Sequence, residues 1–355
     1  MSPERLEAAA GILAREVNEG RVPAAAIIVA RRERIVLHQA FGRMGRDAGS
    51  TPVSPDSVFL LASITKPVTA CAVMLLADRG LVSLNDRASH YLPELKGDGR
   101  EEIRVGDLLS HISGLPDMLP ENTELRRAHA PLSEFVRRTF TTPLLYRPRT
   151  GFQYQSMGIL LAAEIVERVT GMRLRDFEKK ELFDPLGMKD SALGMGGRRI
   201  TDTVWCCVPE GNPQDNERFG PNTQYWRDMG HPWGGMHSTT SDLAILLQTM
   251  LNKGVYAGKR IFSQASATAM VTNQNRDPNT PWGWGWALTH SLVWNYFGDL
   301  VSPAAFGHVG ATGTVAWADP QTQLLCVILT NRSVSVDRGR LLRLVSNAVA
   351  AAVEE

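Results

Sequence analysis

Cysteine is scarce in this sequence, and neither sign of charge is in excess. The chain has 355 residues and four cysteines, too few for a disulfide framework at this length. No C-x-x-C pair or Cys/His cluster with zinc spacing occurs, so the sequence indicates no metal site. Lysines and arginines number 38 against 37 aspartates and glutamates, which gives a net charge of +1. Nucleic-acid-binding proteins usually have a basic excess, so this balance argues against one.

Long apolar runs are missing as well. No segment of about 18 consecutive apolar residues occurs, and the first residues show neither the apolar stretch nor the cleavage site of a signal peptide. We therefore expect a cytoplasmic protein that does not bind membranes. Hydrophobic residues make up 43% and charged residues 21%, as in an ordinary globular protein with a sizeable core.

Strand-like and helix-like segments are distributed unevenly along the chain. Strand candidates lie near both ends, at residues 24–30, 35–40, 314–318 and 324–330. Apolar residues recur at helical spacing at residues 3–18, 67–79, 159–169, 242–251 and 338–353. This order favours an α+β fold, in which one sheet built from both termini lies beside a mostly helical part. The predicted domains are a sheet domain of residues 1–62 with 255–355, and a mostly helical domain of residues 63–254.

Several motifs of other enzyme classes do not occur. The sequence has no phosphate-binding G-x-x-x-x-G-K-[ST] loop, no G-x-G-x-x-G after a strand, no H-E-x-x-H and no G-x-S-x-G. The nucleotide-binding, zincin and α/β-hydrolase interpretations therefore have no support in the sequence.

A Ser-x-x-Lys motif, from Ser63 to Lys66, stands where a predicted helix begins. Residues i and i+3 share one helix face, so Lys66 can reach the hydroxyl of Ser63. A serine hydroxyl needs a neighbouring base, and a desolvated lysine with a lowered pKa can act as one. The first turn of a helix also offers free N–H groups for a developing oxyanion. The alternative is a helix-capping serine followed by a solvated lysine.

Two further motifs contain candidate site residues. Tyr154 and Ser156 precede the predicted helix at 159–169, and a tyrosine can shuttle a proton between a nucleophile and a leaving group. The alternative is that Tyr154 is a packing residue and Ser156 a helix cap. His308 and Gly310 lie in a glycine-rich entry to a strand, which lets the backbone approach a ligand closely. The alternative there is a turn with a structural histidine.

Taken in order, these three motifs resemble those of the serine β-lactamase and D-alanyl-D-alanine peptidase superfamily. They look like the class C β-lactamase-like branch, which includes family VIII carboxylesterases and D-amino-acid peptidases. Three further runs also resemble this branch, at residues 108–116, 234–244 and 283–286. The resemblance covers nearly the whole chain.

The resemblance implies both a fold and a site. The fold would be an antiparallel sheet from both termini, flanked by helices, with the active site at its junction with a mostly helical domain. Ser63 would form an acyl-enzyme, and Lys66 and Tyr154 would share the general-base and general-acid work in an order that stays open. The backbone N–H groups of Ser63 and Ala311 would form the oxyanion hole. No metal or organic cofactor would be needed.

The sequence departs from the family's pattern in two motifs. Ser156 stands where the family usually has asparagine, and its shorter hydroxyl lacks the donor–acceptor pair that an amide offers to a substrate amide and to Lys66. His308-Val309-Gly310 stands where β-lactamases have K-T-G. A histidine that is mostly neutral near pH 7 is a weaker partner for a carboxylate than lysine. Both departures disfavour a dedicated β-lactamase.

Tryptophans are dense shortly before the third motif, at Trp282, Trp284, Trp286 and Trp294. Core packing explains at least two of them. We expect Trp284 to belong to an apolar wall that binds an acyl or alcohol group. The predicted substrate-binding residues are therefore Ser156, His308, Gly310 and Trp284.

The sequence thus predicts a serine hydrolase that acts on small carboxylic esters without a cofactor. The alternatives within the same chemistry are a β-lactamase and a D-amino-acid peptidase or amidase, in which His308 would bind a terminal carboxylate. A third hypothesis is a non-enzymatic scaffold with a hydrolase-like fold. Such proteins normally lose the nucleophile or the base, whereas Ser63, Lys66 and Tyr154 are all present. The natural substrate and the oligomeric state stay open.

Overall fold

The structure is a computed structural model that describes residues 1–47, 49–207, 213–277, 279–289, 291 and 296–354. The described residues form these strands: β1 (Ala24–Arg31), β2 (Arg34–Gly42), β3 (Phe59–Leu60), β4 (Ala192–Leu193), β5 (Met236–Ser238), β6 (Val255–Tyr256), β7 (Lys259–Arg260), β8 (Ala287–Leu288), β9 (Phe306–Gly310), β10 (Thr314–Asp319) and β11 (Leu324–Thr330). They also form these helices: α1 (Pro3–Asn18), α2 (Thr65–Asp78), α3 (Val105–Leu109), α4 (Asn122–Arg127), α5 (Leu132–Thr139), α6 (Met157–Thr170), α7 (Leu174–Glu178), α8 (Asp184–Leu186), α9 (Pro213–Phe219), α10 (Gln224–Met229), α11 (Thr240–Leu251), α12 (Gln264–Met270) and α13 (Arg340–Ala351).

A six-stranded antiparallel sheet joins the two ends of the chain. Its strand order is β2-β1-β11-β10-β9-β8. In the central pair, Ala25 of β1 lies opposite Thr330 of β11, and Ile28 lies opposite Val327. The predicted sheet from both termini and the α+β fold class are thereby confirmed.

Both faces of this sheet are covered, and the sequence of β1 reflects it. Its first seven residues are all buried, because successive side chains point to opposite faces and each face meets a core. Ile27 and Val29 pack into the core shared with α1 and α13. Ala26 and Ile28 pack into the larger core that contains α11 and the helical part.

Helix α2 lies at the centre of the helical part and contains Lys66, the lysine of the Ser-x-x-Lys motif. Its residues from Thr65 to Leu76 are all buried, as expected of a helix that is apolar around its whole circumference. It packs against α6 and α7. Pro67 is accommodated in the first turn, where its missing N–H removes no helical hydrogen bond.

The predicted division into residues 1–62 with 255–355 and residues 63–254 stays a prediction. Helix α11 falls in the second range, yet it packs against β1, β10 and β11. Its start follows the local pattern, since the side chain of Thr239 accepts a hydrogen bond from the N–H of Asp242. Within the described part of the chain, no helix combines the length and the apolar character needed to cross a membrane.

Candidate active site

Ser63 lies in a tight turn between β3 and α2. The preceding residue, Ala62, has a φ of +50°, a left-handed conformation that is uncommon for a residue other than glycine. Thr65 holds the turn, because its hydroxyl donates to the carbonyl of Ala62 at 2.7 Å and accepts from the N–H of Met236 at 3.0 Å. The turn leaves Ser63 half-buried at the start of an otherwise buried helix.

Lys66 is completely buried directly beside Ser63. Its Nζ lies 3.1 Å from Oγ of Ser63 and 3.1 Å from the carbonyl oxygen of Trp233. Burial lowers the pKa of Lys66 to about 7, while the carboxylate of Asp117 acts in the opposite direction. A large share of the amine is therefore neutral at pH 7 and able to accept the proton of the serine hydroxyl.

Tyr154 completes the group around the serine. Nζ of Lys66 lies 4.6 Å from the centre of its ring. Burial raises the pKa of Tyr154 well above its usual value, although its hydrogen bond with the hydroxyl of Ser63 acts in the opposite direction. The phenol therefore keeps its proton at neutral pH, which suits a proton donor better than a first base. The rings of His111 and Trp282 pack against it, with centroid distances of 4.7 and 5.9 Å.

Ser156 lines the same cavity as Ser63, but its hydroxyl already has a hydrogen-bond partner. It donates to Oδ1 of Asp117 at 2.6 Å. Asp117 was not singled out in the sequence, although it directly follows the family-like run at 108–116. The carboxylate adds the negative charge that raises the pKa of Lys66 against the effect of burial.

Gly310 brings the end of β9 against the segment that precedes Ser63. A Cβ on Gly310 would lie 2.0 Å from the carbonyl oxygen of Leu61 and 2.3 Å from Oγ1 of Thr314. That hydroxyl in turn donates to the carbonyl of Leu61 at 2.8 Å. Only glycine fits there, so Gly310 acts through close backbone packing rather than by lining the cavity.

Ala311 follows and reaches the cavity that contains Ser63. In the described ranges of the chain, no oxygen accepts a hydrogen bond from the backbone N–H of Ala311. The carbonyl of Gly310, which shares a peptide unit with this N–H, accepts from the N–H of Gly313 at 3.0 Å and thereby helps to fix the orientation of the N–H. The N–H thus remains available to a ligand, as the predicted oxyanion hole requires.

His308 does not lie where its motif predicts. Its side chain does not line the cavity and packs behind Tyr154 and Trp282, at centroid distances of 6.0 and 5.7 Å. Burial lowers its pKa to about 3, and the charge of Lys66 acts in the same direction. The structure therefore corrects the prediction that His308 binds substrate, because a neutral ring in the interior cannot reach a carboxylate in the cavity.

Trp284 is likewise separated from the site. It lines a different pocket beside Leu84 and Gly106, where a Cβ on Gly106 would lie 2.7 Å from its ring. The predicted apolar wall at Trp284 is corrected accordingly. Trp282 and Trp286 are buried in the core, as the packing interpretation expects, and Trp294 lies outside the described residues.

The cavity itself has a volume of about 450 Å³. Of the predicted site residues it brings together Ser63, Lys66, Tyr154, Ser156 and Ala311. Most other lining side chains are apolar or aromatic, including Leu60, Met118, Pro221, Trp226, Trp233, Tyr296, Val309 and Val334. The volume and the lining of this cavity suit a small, largely apolar ligand.

Two basic side chains of the cavity, Arg126 and His231, were not predicted from the sequence. Arg126 is one of two adjacent arginines in a short polar helix, so no sequence signal separates it from a solvated residue. His231 stands close to the run at 234–244, but a lone histidine carries little information. Within the described ranges, no three histidine, cysteine, aspartate or glutamate side chains cluster as metal ligands.

The chain is similar to known proteins over nearly its whole length. A family model described as beta-lactamase matches residues 9–350. N-acetylmuramyl-L-alanine amidase of Bacillus subtilis (strain 168) is 30% identical, over 93% of this chain and 82% of its own length.

Solved structures share the fold, and two of them serve as examples. A penicillin-binding protein homolog from Caulobacter crescentus superposes with a TM-score of 0.83 at 23% identity, covering 99% of both chains. The structure of a family VIII carboxylesterase superposes with a TM-score of 0.77 at 22% identity, covering 98% of both chains.

Proposed function

The chain belongs to the beta-lactamase family and is a serine hydrolase, and from that premise we propose that it hydrolyses carboxylic esters through an acyl-enzyme on Ser63. One observation carries the proposal. Oγ of Ser63 opens into a mostly apolar cavity, 3.1 Å from a buried lysine whose pKa is about 7. This pairing gives a serine the neighbouring base that it needs to act as a nucleophile.

Acylation begins with proton transfer from Ser63 to Lys66. Neutral Nζ accepts the proton as Oγ bonds to the ester carbonyl carbon, and the carbonyl oxygen becomes an oxyanion. The N–H groups of Ser63 and Ala311 would donate to that oxyanion. Lys66 is assigned as the first base because burial lowers its pKa toward 7, whereas burial keeps Tyr154 protonated.

Collapse of the tetrahedral intermediate breaks the bond to the alcohol. Tyr154 donates its proton to the departing alkoxide and regains one from protonated Lys66, so that the alcohol leaves neutral and an acyl group stays on Ser63. Water then attacks this acyl-enzyme and loses a proton to the same pair. The acid is released, and Oγ of Ser63 recovers its hydrogen.

Two features favour an ester over a peptide or a β-lactam. The hydroxyl of Ser156 is engaged with Asp117, so it is a poor partner for a substrate amide. His308 lies outside the cavity, so the third motif presents no cation there. An alkoxide is also easier to expel than the anion of an amine, so an ester makes a smaller demand on the general acid than an amide does.

An amidase or D-amino-acid peptidase is the second candidate. The Bacillus subtilis relative is named as an amidase, and Arg126 places a positive charge in the cavity. A substrate with an amide bond and a carboxylate would suit this charge. A β-lactamase remains an alternative with the same acyl-enzyme chemistry.

Intact-protein mass spectrometry on a panel of short nitrophenyl esters, D-alanyl peptides and β-lactams tests the proposal. We expect an acyl adduct on Ser63 and rapid turnover for the esters. Ser63→Ala should lower ester turnover by about 10⁴- to 10⁶-fold. Ser241→Ala, on α11 and hydrogen-bonded to Asp56 away from the cavity, is the matched control.

Each result decides between the candidates. Adducts and turnover with peptides alone would replace the ester proposal by the amidase one. Full activity in Ser63→Ala would overturn both. No adduct with any ester, peptide, β-lactam or fluorophosphonate would instead support the non-enzymatic scaffold.

A further inference from the structure

We propose that one end of the active-site cavity, formed by Arg126, Trp226 and His231, binds a carboxylate of the substrate. The preferred substrates are then esters that carry a second, ionised acid group. This inference rests on the proposed ester hydrolysis and adds the substrate class. We call this end of the cavity the Arg126 corner.

Arg126 is the first observation. It lies on α4, lines the cavity, and places its guanidinium carbon 3.6 Å from the centre of the Trp226 ring. Among the described residues, it has no ion-pair partner, and its buried Nε has no hydrogen-bond acceptor. Its neighbour on the same helix differs, since Arg127 pairs with Asp215 at 3.2 Å. Arg126 therefore directs an unpaired charge at the cavity rather than at the protein surface.

His231 is the second, independent observation. The residue is 2% exposed and lines the cavity, and its Nδ1 finds no hydrogen-bond partner in the described part of the chain. Burial lowers the pKa of His231 well below its usual value, and the charge of Arg126 acts in the same direction. The ring is thus neutral and can donate one N–H. A guanidinium and a neutral N–H donor together match the two oxygens of a carboxylate.

The aromatic side chains connect this corner to the nucleophile. The ring of His231 lies 4.9 Å from that of Trp226 and 4.8 Å from that of Trp233, measured between centroids. The carbonyl of Trp233 accepts the hydrogen bond from Nζ of Lys66. A substrate could therefore place its ester at Ser63 and its carboxylate at Arg126, with an apolar spacer along the aromatic wall.

Asp117 is the one carboxylate among the described residues that line the cavity, and it accepts a hydrogen bond from Ser156. Its charge raises the pKa values of Lys66 and Tyr154. Among the described residues, it forms no ion pair with Arg126, so the guanidinium remains available to a substrate carboxylate.

The cost of burying the charge of Arg126 also favours a substrate carboxylate in this corner. Burial lowers the pKa of Arg126 to about 9, so the guanidinium is still charged at neutral pH. A buried cation without an anionic partner is costly, and a substrate carboxylate would recover part of that cost on binding. A purely neutral ester would leave the charge unpaired.

The test compares nitrophenyl monoesters of glutaric, adipic and pimelic acids with neutral straight-chain esters of matched length. We expect a higher kcat/KM for the acidic esters. Arg126→Met should lower the ratio of acidic to neutral kcat/KM by about 10- to 100-fold, the size expected for a charged hydrogen bond. Arg126→Lys should restore part of it, and Arg127→Met should leave the ratio as in the parent. Esters with the carboxylate on the phenol test whether the corner binds the leaving group instead.

A direct binding measurement separates this inference from the proposed function. Calorimetry with Ser63→Ala should show tighter binding of the adipic monoester than of its neutral analogue, and Arg126→Met in the same background should abolish the difference. If the parent protein turns over no ester, the proposed ester hydrolysis is wrong. The calorimetric result still tests whether the Arg126 corner binds a carboxylate. An equal acidic-to-neutral ratio in the parent and in Arg126→Met, on both ester series, together with equal binding, would overturn the inference.

Discussion

The hydroxyl of Ser156 donates a 2.6 Å hydrogen bond to the carboxylate of Asp117, at the catalytic end of the cavity. The sequence placed Ser156 toward the substrate, whereas the structure makes it the partner of an acidic residue. That acidic residue raises the pKa of Lys66 while burial lowers it. The serine therefore helps to hold the charge that adjusts the strength of the proposed base.

Asp117→Asn should move the pH dependence of ester hydrolysis to lower pH. Removing the carboxylate removes the effect that raises the pKa of Lys66, so the neutral amine forms at lower pH. We expect the acidic limb of kcat/KM for a neutral ester, near pH 7 in the parent, to shift down by roughly one pH unit. Ser156→Ala keeps the carboxylate and should shift the limb less. An unchanged or raised limb in Asp117→Asn would show that Lys66 is not the titrating base.

Tyr154→Phe should slow the hydrolysis of alkyl esters by about 10²- to 10⁴-fold, because it removes the proposed proton donor to the alkoxide. Nitrophenolate leaves without protonation, so nitrophenyl esters should be affected much less in the acylation step. Single-turnover acylation rates for matched alkyl and nitrophenyl esters measure this difference. Tyr146→Phe, whose hydroxyl donates to the carbonyl of His111 outside the cavity, is the control. Equal losses on both leaving groups would argue against a proton-donor role.

Gly310→Ala should lower both stability and activity. The new Cβ would meet the carbonyl of Leu61 at 2.0 Å, and overpacking of this kind costs about 1–3 kcal/mol. Movement of the strand end would also displace the N–H of Ala311 from the oxyanion hole. Thermal denaturation and kcat test the two effects. Gly11→Ala, on α1 with open space around its Cβ position, should be neutral or slightly stabilising.

Glu178 should make the protein less stable as pH rises. Burial raises its pKa to about 8 from an ordinary value of 4.5, although the hydroxyl of Thr69 acts in the opposite direction. Between about pH 4.5 and pH 8, the folded state therefore keeps a proton on Glu178 that the unfolded state has already released. The free energy of unfolding should therefore fall by up to about 1.4 kcal/mol per pH unit in that window.

Denaturant unfolding of Glu178→Gln at several pH values tests this assignment. The substitution should flatten the fall in stability, since the amide does not ionise. Glu181→Gln is the control. Arg79 lowers the pKa of the Glu181 carboxyl, so the loss of this carboxyl cannot flatten the fall in stability as pH rises. A slope that persists unchanged in Glu178→Gln would assign the titration to another group.

Local pattern was enough to predict the regular elements. The predicted helix at 242–251 is α11, Thr240–Leu251, and the predicted strand at 324–330 is β11. Capping by Thr239 and the apolar periodicity of these segments are properties of neighbouring residues, so they can be read without knowing the fold. The proximity of Ser63 and Lys66 is predictable for the same reason, since one helical turn brings them together.

Which side chains face the cavity could not be read in this way. His308 and Trp284 stand in conspicuous motifs, yet β9 directs the first into the interior and the second lines another pocket. Asp117 and Arg126 stand in ordinary surroundings and reach the cavity from the helical part.

The sequence by itself therefore determined the family, the two-ended sheet and the Ser-x-x-Lys pair. The tertiary structure decided which charges surround that pair. Periodicity and motif spacing are local, whereas burial, the pKa of Lys66 and the exposure of a cation to the cavity depend on contacts between residues far apart in the chain. Apart from Lys66, the positive charge of the cavity consequently comes from Arg126 on α4 and not from His308 on β9.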